Sequence, residues 1–388
     1  MSQRPIYLDN HATTAMDERV LEAMLPYFTE HFGNPSSINH LYGWEGEAAV
    51  KKARETIANG INCSPEEIVF TSGATEANNL AIKGIAEAYF SQGQHIITFQ
   101  TEHNAVLDPC KYLESLGFEV TYLPVEKNGL IDLELLEKSI RPETILVSVM
   151  AANNEIGVLQ PLKEIGKICQ KKAVIFHSDA AQAIGKIHLD VKEMNIHLLS
   201  LTAHKIHGPK GIGALYVRRR NPRVNIAPQL HGGGQEKNIR SGTLYTPQIV
   251  GFGKTIELAL EEIETESKRQ SELRNRLQKQ LLNIEGVYLN GHPTQRLPGN
   301  LNVSIEGVDG AALLLALQGI IALSSGSACT STTTKPSHVL KALGHEDKLA
   351  YGSLRFGLGR FTTSQEIDIV SEKIIDSINS LRKSNINY

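Results

Sequence analysis

The sequence is poor in cysteine and carries no excess of basic charge. Its 388 residues include only four cysteines, which lie too far apart for a CxxC pair or a zinc-ribbon spacing. Few cysteines in a long chain are typical of a reducing compartment, so we expect a cytoplasmic protein. The 39 basic and 42 acidic side chains leave a formal net charge of −3, which argues against direct binding of nucleic acid.

Long hydrophobic runs are also missing. The longest, at 311–317, is far shorter than the ~20 residues that a membrane-spanning helix needs. The N-terminus lacks the basic and apolar segments of a signal peptide, so we expect a soluble protein without a membrane partner. The composition, 41% hydrophobic and 21% charged, is that of a globular protein and excludes a disordered chain.

Strand-like and helical patterns alternate between residues 66 and 219. Seven short β-branched runs are typical of strands: 67–70, 95–99, 118–124, 144–150, 173–177, 198–204 and 213–219. After Gly73, small or apolar residues recur at the spacing of one helix face: Ala77, Leu80, Ala81, Gly84, Ile85 and Ala88. This alternation predicts an α/β fold with a mostly parallel seven-stranded sheet covered on both faces.

The C-terminal part follows a different pattern. A long helix is predicted over 246–284, and because charged residues dominate it we expect a connector rather than a core helix. Shorter strand and helix units follow, ending in a helix over 364–383, and they indicate a smaller α+β domain. We expect a large domain over 16–260 and a small domain formed by 1–15 and 261–388.

Polar residues follow the carboxyl ends of the predicted strands, where open α/β sheets bind their ligands. The first strand end leads into Gly73, Ala74 and Thr75, which open a helix. Free N–H groups and a hydroxyl at a helix N-terminus suit a phosphate, although an ordinary helix cap gives the same pattern. The other strand ends supply an imidazole, amides, a hydroxyl, an acid and a lysine: His103, Asn153, Asn154, Asp179, Gln182, Thr202, His204 and Lys205.

Pyridoxal 5′-phosphate (PLP) requires this combination of groups. Each residue alone is compatible with a structural role, but around one crevice they provide a helix N-terminus for the phosphate and a lysine amine for the aldehyde. A carboxylate such as Asp179 keeps the pyridine nitrogen protonated, and an imidazole such as His103 stacks on the ring. A dinucleotide is not supported, because no GxGxxG follows a strand, and His177 with Asp179 lacks a third metal ligand.

The four cysteines differ in their surroundings. Cys329 lies in the Ser-, Gly- and Thr-rich segment 324–336, which disfavours a core and lets a thiol move. A reactive and a structural thiol are equally compatible with that segment. The other three have the neighbours of buried, inert thiols: Cys63, Cys110 and Cys169.

An arginine on a predicted strand supplies a candidate carboxylate site. Alternation in YGSLRFGLGRF puts Arg355, Gly357 and Gly359 on one face, so the glycines leave room for a carboxylate to dock bidentately. A surface arginine on an edge strand would show the same pattern. Because amino acids are the usual substrates of PLP enzymes, a carboxylate-binding arginine is the part that such a site still needs.

Ten motifs in order along the chain resemble those of the cysteine desulfurases of the NifS/IscS type, nearly end to end. They are YLDNHATT, FGNPSS, TSGATEANNLAIKG, TEHNAVL, NNEIG, HSDAAQ, HKIHGPKG, HGGGQEKNIRSGT, SSGSACTS and LRFGLGRF. The segment around Cys329 is similar to that of the long-loop group. The resemblance implies the PLP-dependent aspartate-aminotransferase-like fold (type I), a homodimer and L-cysteine as the substrate.

The resemblance also implies a role for each candidate residue. Lys205 would be the Schiff-base lysine and, with His103, would move protons; Cys329 would take the sulfur. Asn154 and Arg355 would bind the substrate carboxylate. The cofactor would be bound by Ala74, Thr75, His103, Asp179, Gln182, Thr202, His204, Lys205 and, from the other subunit, Thr243.

Two residues depart from the family pattern. Ala203 stands where many relatives have glycine, and His11 stands where a smaller residue is common in the Asp-x-x-Ala-Thr-Thr motif. The sequence also ends at Tyr388, soon after its last predicted helix, whereas some relatives have a longer tail that docks an iron–sulfur scaffold protein. We expect these departures to leave the fold and the chemistry intact.

The expected reaction removes sulfur from L-cysteine, gives L-alanine and leaves a persulfide on Cys329. The sulfur would pass to acceptor proteins such as an iron–sulfur scaffold, for cluster assembly, or to thio-cofactor or tRNA thiolation. No resident metal is expected, and whether Cys329 ligates a transient iron–sulfur cluster stays open. The alternatives are an aminotransferase or a selenocysteine lyase of the same fold, and a non-catalytic binding protein, which would need neither Lys205 nor Asp179.

Overall fold

The computed structural model describes residues 4–324 and 336–386, which form two β-sheets, a short strand pair and the helices packed on them. The strands in chain order are β1 (Ile6–Tyr7), β2 (Ile68–Thr71), β3 (His95–Phe99), β4 (Glu119–Leu123), β5 (Thr144–Ser148), β6 (Ile175–Asp179), β7 (Leu198–Thr202), β8 (Gly213–Val217), β9 (Val287–Leu289), β10 (Asn300–Ile305), β11 (Ile321–Ala322) and β12 (Ser353–Gly357). The α-helices are α1 (Glu18–Met24), α2 (Pro26–Thr29), α3 (Leu41–Gly60), α4 (Ala74–Ala88), α5 (Asn104–Ser115), α6 (Leu133–Ser139), α7 (Leu162–Lys171), α8 (Thr246–Leu282), α9 (Gly310–Leu317), α10 (His338–Ala342), α11 (Asp347–Tyr351) and α12 (Ser364–Ile386). Short 3-10 turns lie at Pro65–Glu67 and Glu236–Asn238.

The seven predicted strands form one sheet in the order β2-β8-β7-β6-β5-β3-β4. Only β8 runs antiparallel to its neighbours, and the pairs from β7 to β4 are all parallel. The predicted α/β fold with a mostly parallel sheet is therefore confirmed. Only β3 has the predicted limits, and the other strands differ from them by one or two residues. The difference at β6 matters for the site: the strand runs from Ile175 to Asp179 rather than over 173–177, so Asp179 is its last residue rather than a residue that follows it.

Helices cover both faces of this sheet, which explains why its strands are continuous apolar runs. Successive residues of a strand point to opposite faces, so Ile96 and Ile97 of β3 enter different hydrophobic cores. Helix α4 packs in one of these cores, with its predicted face buried except for Ala88. Both faces are closed to solvent, and this leaves the carboxyl ends of the strands as the open edge.

Helix α8 corrects one expectation. We expected a connector, because charged residues dominate its average composition, but its first half is a core helix. Ile249, Phe252 and Ile256 belong to the core of the large sheet, and a Cβ on Gly253 would lie 2.8 Å from Ala53 in α3. The second half carries Leu273, Leu277 and Leu281 into a second core. An apolar stripe in a charged helix is enough to bury one side of it.

The second core lies under a smaller antiparallel sheet, β12-β10-β9, with α9 and α12 against it. The N-terminal strand β1 pairs in parallel with β11, so the chain starts beside its C-terminal part. A smaller α+β unit was expected here, and these elements form one. The domain limits of 16–260 and of 1–15 with 261–388 stay a prediction.

Within 4–324 and 336–386, none of the helices combines the length and the apolar character that crossing a membrane requires.

Candidate active site

A cavity of about 580 Å³ opens at the carboxyl ends of the central strands, where β2, β6 and β7 end. Ten of the twelve predicted site residues line it: Ala74, Thr75, His103, Asn154, Asp179, Gln182, Thr202, His204, Lys205 and Arg355. Thr243 is exposed and does not line it, and Cys329 lies outside the described residues. The structure brings these ten side chains together, while their roles stay predictions.

The start of α4 forms one part of the cavity wall, which we call the helix end (residues 72–76 and Thr202). Gly73 precedes the helix with a φ of +153°. The Thr71 hydroxyl donates to the carbonyl oxygen of Gly73 at 3.0 Å. Among the described residues, no acceptor binds the backbone N–H groups of Ala74 and Thr75. Together with the nearby hydroxyls, these N–H groups can bind an anion.

An ion pair neutralises the acidic side chain at the helix end. Arg240 donates from Nε to Glu76 Oε1 at 2.7 Å and from Nη2 to Oε2 at 3.1 Å. The N–H of Ser72 donates to the same carboxylate at 2.7 Å. Burial acts in the opposite direction, but these hydrogen bonds lower the pKa of Glu76 below its usual value. Sequence reasoning missed this pair, because 164 residues separate its members.

Lys205 follows β7 and reaches the N-terminal segment of the chain. Its Nζ donates to the carbonyl oxygens of His11 at 2.5 Å and of Ala12 at 2.7 Å. The preceding residue, His204, is half-buried, and burial together with the charges of Lys205 and Lys210 lowers its pKa to about 4. The lysine amine is therefore held at the cavity by backbone carbonyls, beside an uncharged imidazole.

Asp179 is a buried carboxylate whose hydrogen-bond donors are neutral. Asn78 Nδ2 donates to Oδ2 at 2.7 Å, and the N–H of Ala181 donates to Oδ1 at 2.9 Å. Burial of a carboxylate without a cationic partner is costly. Neutral donors satisfy the oxygens but do not neutralise the charge, so the site suits a cationic or protonated ligand atom. Asn78 was not foreseen, because it lies on the buried side of α4.

Gln182 links the cavity to two residues that the sequence did not assign to the site. Its Nε2 donates to the carbonyl oxygen of His11 at 2.9 Å. Its Oε1 lies 3.0 Å from Lys186 Nζ and 3.1 Å from His11 Nδ1. Burial, with the charges of Lys205 and Arg355, lowers the pKa of Lys186 to about 7. His11 was noted only as a departure from the family motif.

His103 is the N-cap of α5. Its Nδ1 accepts the N–H of Ala105 at 3.1 Å, so the neutral ring carries its proton on Nε2. Burial lowers the pKa of His103, although the negative charge of Asp179 opposes the shift. The preceding Glu102 is buried, and its burial raises its pKa well above the usual value. His103 is thus an uncharged donor at the cavity wall.

Arg355 on β12 belongs to a second part of the cavity wall, which we call the arginine end (His11, Asn154 and Arg355). The buried guanidinium donates from Nη1 to the carbonyl oxygen of Asn154 at 3.1 Å and from Nη2 to Asp9 at 2.9 Å. Its Nε and the Oδ1 of Asn154 have no partner among the described residues. Arg355 is a buried residue, not a surface arginine on an edge strand.

The glycines beside Arg355 do not leave the room that the sequence suggested. A Cβ on Gly357 would lie 2.7 Å from the backbone N of His11, and one on Gly359 would lie 2.6 Å from Asn10 Oδ1. The N-terminal segment therefore fills the space beside the strand. Arg355 lines the cavity, so a carboxylate would approach it from that side rather than from the side of the glycines.

The remaining cysteines are buried, as predicted. Burial raises the pKa of Cys110 and Cys169 to about 12, and it raises that of Cys63 as well. These thiols stay protonated and unreactive near neutral pH. Among the described residues, no cluster of His, Cys, Asp and Glu is arranged to hold a metal ion.

The donor set around the cavity fits PLP. The helix end offers unpaired N–H groups to a phosphate, and Asp179 offers a buried charge without a cationic donor in its hydrogen bonds. Lys205 lines the same cavity and donates to the backbone of His11, a residue of the arginine end. The arginine end adds Arg355 Nε and Asn154 Oδ1, buried polar atoms that a ligand can satisfy.

Comparison with known proteins defines the family. The family described as "Aminotransferase class-V" matches residues 6–370, so the chain belongs to it. This family is PLP-dependent, and the predicted cofactor is therefore confirmed. The chain is 57% identical over 382 residues to "Cysteine desulfurase, mitochondrial" of Arthroderma benhamiae, which covers 98% of this chain and 76% of that relative.

Solved structures agree with the sequence comparison. A structure titled "NIFS-LIKE PROTEIN" superposes with a TM-score of 0.90 at 40% identity, covering 97% of this chain and 100% of that one. Another, "SspA in complex with cysteine", has a TM-score of 0.83 at 39% identity and covers 92% and 100% of the two chains. The resemblance drawn from the motifs and the type I fold it implied are both confirmed.

Proposed function

We propose that the chain is a PLP-dependent cysteine desulfurase that releases L-alanine and leaves the substrate sulfur as a persulfide on Cys329. One observation carries the proposal: a single cavity is lined by a lysine, a buried carboxylate, a buried arginine, a neutral imidazole and the start of a helix with unpaired N–H groups. The relative named a cysteine desulfurase, and the structural neighbour that contains cysteine, support the same substrate.

The residues that would hold PLP follow from the donors. The N–H groups of Ala74 and Thr75, with Thr202 and His204, would bind the phosphate, and Asp179 would face the pyridine nitrogen. Gln182 Nε2 carries two N–H groups, of which one donates to the carbonyl oxygen of His11. The other would donate to the ring hydroxyl of the cofactor. When bound, the cofactor supplies an electron sink that weakens the bonds at the substrate Cα.

Lys205 and His103 are the groups that would move protons. The Lys205 amine is held by two carbonyl oxygens, so it has a fixed position from which it can transfer a proton at the substrate Cα. His103 is neutral and carries its proton on Nε2, so it can donate a hydrogen bond towards the substrate. To accept a proton at Nε2, the ring would first have to exchange tautomers, which releases the N–H of Ala105 from Nδ1. A neutral imidazole is also the form that can deprotonate a thiol.

Arg355 and Asn154 would bind the carboxylate of L-cysteine. The guanidinium is already fixed by Asp9 and by the carbonyl oxygen of Asn154, so it loses little conformational freedom when the substrate binds. The sulfur then transfers from the substrate to the Cys329 thiol. The bond between the substrate Cβ and sulfur breaks, an S–S bond to Cys329 forms, and Cβ becomes the methyl group of alanine. The hydrogen count balances, because two thiols give one methyl hydrogen and one persulfide S–H.

A homodimer is part of the proposal. Large apolar side chains are exposed along residues 25–44, including Phe32 (64%) and Ile38 (73%). The ring of Phe28 stacks edge-on against Tyr245 at 6.2 Å, so this patch continues to the segment that carries Thr243. A second copy that covers the patch would bring Thr243 near the partner's cavity. Ile38→Glu should give monomers with lower PLP occupancy, measured by light scattering and absorbance.

Acceptor proteins, such as an iron–sulfur scaffold, would take the persulfide sulfur for iron–sulfur cluster assembly or for thio-cofactor or tRNA thiolation. A cytoplasmic location fits the few, separated cysteines.

Product analysis tests the proposed function directly. Purified protein loaded with PLP is incubated with L-cysteine and a reductant, and alanine and sulfide are quantified. We expect equimolar products that are lost in Cys329→Ala, while Cys63→Ala retains them because that thiol is buried. Dependence on a keto acid instead would identify an aminotransferase, and sulfide release that survives Cys329→Ala would exclude the persulfide route.

A further inference from the structure

The proton on the ring of His11 can be placed from its neighbours. Gln182 Nε2 donates to a carbonyl oxygen, and Lys186 donates to Gln182 Oε1, so the amide orientation is fixed. Oε1 can only accept, and it lies 3.1 Å from His11 Nδ1. Nδ1 must therefore carry the proton, and Nε2 of the neutral ring carries a lone pair.

The lone pair on His11 Nε2 has no donor. The side chain is buried and lines the cavity, yet among the described residues Nε2 has no hydrogen-bond partner. Burial and the positive charges of Lys186 and Arg355 lower the pKa of His11 well below 6.5, so the ring stays uncharged at neutral pH. A buried acceptor without a donor is costly, and it is satisfied when a ligand brings an N–H or S–H.

The position of the ring is fixed as well. A Cβ on Gly357 would lie 2.9 Å from His11 Cδ2, which shows that the imidazole packs directly against the strand that bears Arg355. Lys205 and Gln182 hold the backbone carbonyl of His11 from the other side. The acceptor is thus held at the arginine end, where an amino-acid substrate would place its carboxylate.

We propose that His11 is a positioning residue that accepts, at Nε2, a hydrogen bond from the amine or the thiol of the bound amino-acid substrate. This inference rests on the proposed function. The carboxylate of L-cysteine has no proton to offer at neutral pH, so the donor is one of the other two groups. A pocket with Arg355 for the carboxylate and His11 for a second group binds the substrate at two points, which fixes its orientation.

Two substitutions separate the ring nitrogens. In His11→Asn the side-chain amide reaches the place of Nδ1 and keeps the bond to Gln182, but nothing replaces Nε2. In His11→Gln the amide reaches the place of Nε2 and restores an acceptor there. His197→Asn is the matched control, because His197 is also buried but does not line the cavity, and an asparagine oxygen can still accept the N–H of Phe176.

Two probes distinguish the donors. L-Alanine has the amine without the thiol, and 3-mercaptopropionate has the thiol without the amine. Their dissociation constants are measured by calorimetry on PLP-loaded protein. If the amine donates, His11→Asn should weaken L-alanine binding by about three- to tenfold and leave 3-mercaptopropionate unchanged; the reverse identifies the thiol. His11→Gln should recover most of the affinity, and the control should match the wild type.

Unchanged affinity for both probes in His11→Asn would overturn the inference, as would an equal loss in His11→Gln. A measurement without variants covers the case in which a variant does not fold: the ¹⁵N resonance of His11 Nε2 should move when a probe binds, and a constant resonance contradicts the proposal. Failure of the proposed function is separate, because it would appear as wild-type protein that makes no alanine and sulfide from L-cysteine.

Discussion

The two ends of the cavity are built in different ways. The helix end is formed directly by the large sheet, because β2 and β7 end there and α4 starts at Ala74, shortly after the end of β2 at Thr71. The arginine end is assembled from three distant parts of the chain: the N-terminal segment, the loop after β5, and β12. Its contacts join residues 346 apart for Arg355 with Asp9 and 201 apart for Arg355 with Asn154.

This difference separates two tasks. Groups at the helix end are held by short-range backbone geometry and suit a cofactor that stays in place. Groups at the arginine end depend on the packing of the smaller sheet against the larger one, and they suit a substrate that must enter and leave. Lys205 connects the two ends, since it follows a strand of the large sheet and is held by the carbonyl oxygens of the N-terminal segment.

Removal of the connecting lysine should have the largest effect. Lys205→Ala removes both the amine that would bind the aldehyde and a group for proton transfer, so kcat should fall by about 10³-fold or more. Steady-state release of alanine measures this. The exposed Lys167→Ala controls for the loss of one positive charge and should retain activity. If Lys205→Ala keeps more than a tenth of the wild-type kcat, the proposed role of Lys205 in cofactor binding and proton transfer is wrong.

The next largest effect is expected from Asp179→Asn. The substitution keeps the size and the hydrogen bond from Ala181 but removes the buried charge, so kcat should fall by about 10²-fold while PLP can still bind at the helix end. PLP absorbance and alanine release are measured on the same samples. The exposed Asp376→Asn is the control. Full activity in Asp179→Asn would mean that the carboxylate serves only the fold.

The arginine end should affect substrate binding more than cofactor binding. Arg355→Lys keeps the positive charge but removes the planar fork that reaches Asp9 and Asn154, so the KM for L-cysteine should rise by about tenfold or more with PLP affinity unchanged. The exposed Arg276→Lys is the matched control. A loss of PLP affinity equal to the rise in KM would show that the two ends are not separable.

The smallest effect is expected from the ion pair at the helix end. Arg240→Ala leaves the charge of Glu76 unpaired beside the phosphate position, so PLP affinity should fall by about tenfold through repulsion. The double variant Arg240→Ala/Glu76→Gln should recover most of that affinity, because it also removes the negative charge. Fluorescence titration of PLP measures both. Equal PLP affinities in Arg240→Ala and in the double variant would indicate that the loss does not come from the unpaired charge of Glu76.

The sequence predicted the parts of the site that have local patterns. Strand ends and the start of α4 are visible from periodicity and from Gly73, and the predicted residues that follow these strand ends are close together for that reason. Arg355 is the exception, because it lies on a strand of the smaller sheet. Contacts across the chain leave no such pattern, so Asn78, Lys186 and the contacts of His11 with Gln182 and Lys205 were missed. The space beside Arg355 was misjudged because the residues that fill it lie about 345 positions away, at Asn10 and His11.

The most direct test of the account is a single turnover without reductant. PLP-loaded protein is mixed with one equivalent of L-cysteine, digested, and analysed by mass spectrometry. We expect one alanine per active site and the added mass of one sulfur atom on the peptide that contains Cys329, with no addition on the peptides of Cys63, Cys110 and Cys169. Alanine formed with no sulfur on Cys329, or sulfur on another cysteine, would contradict it.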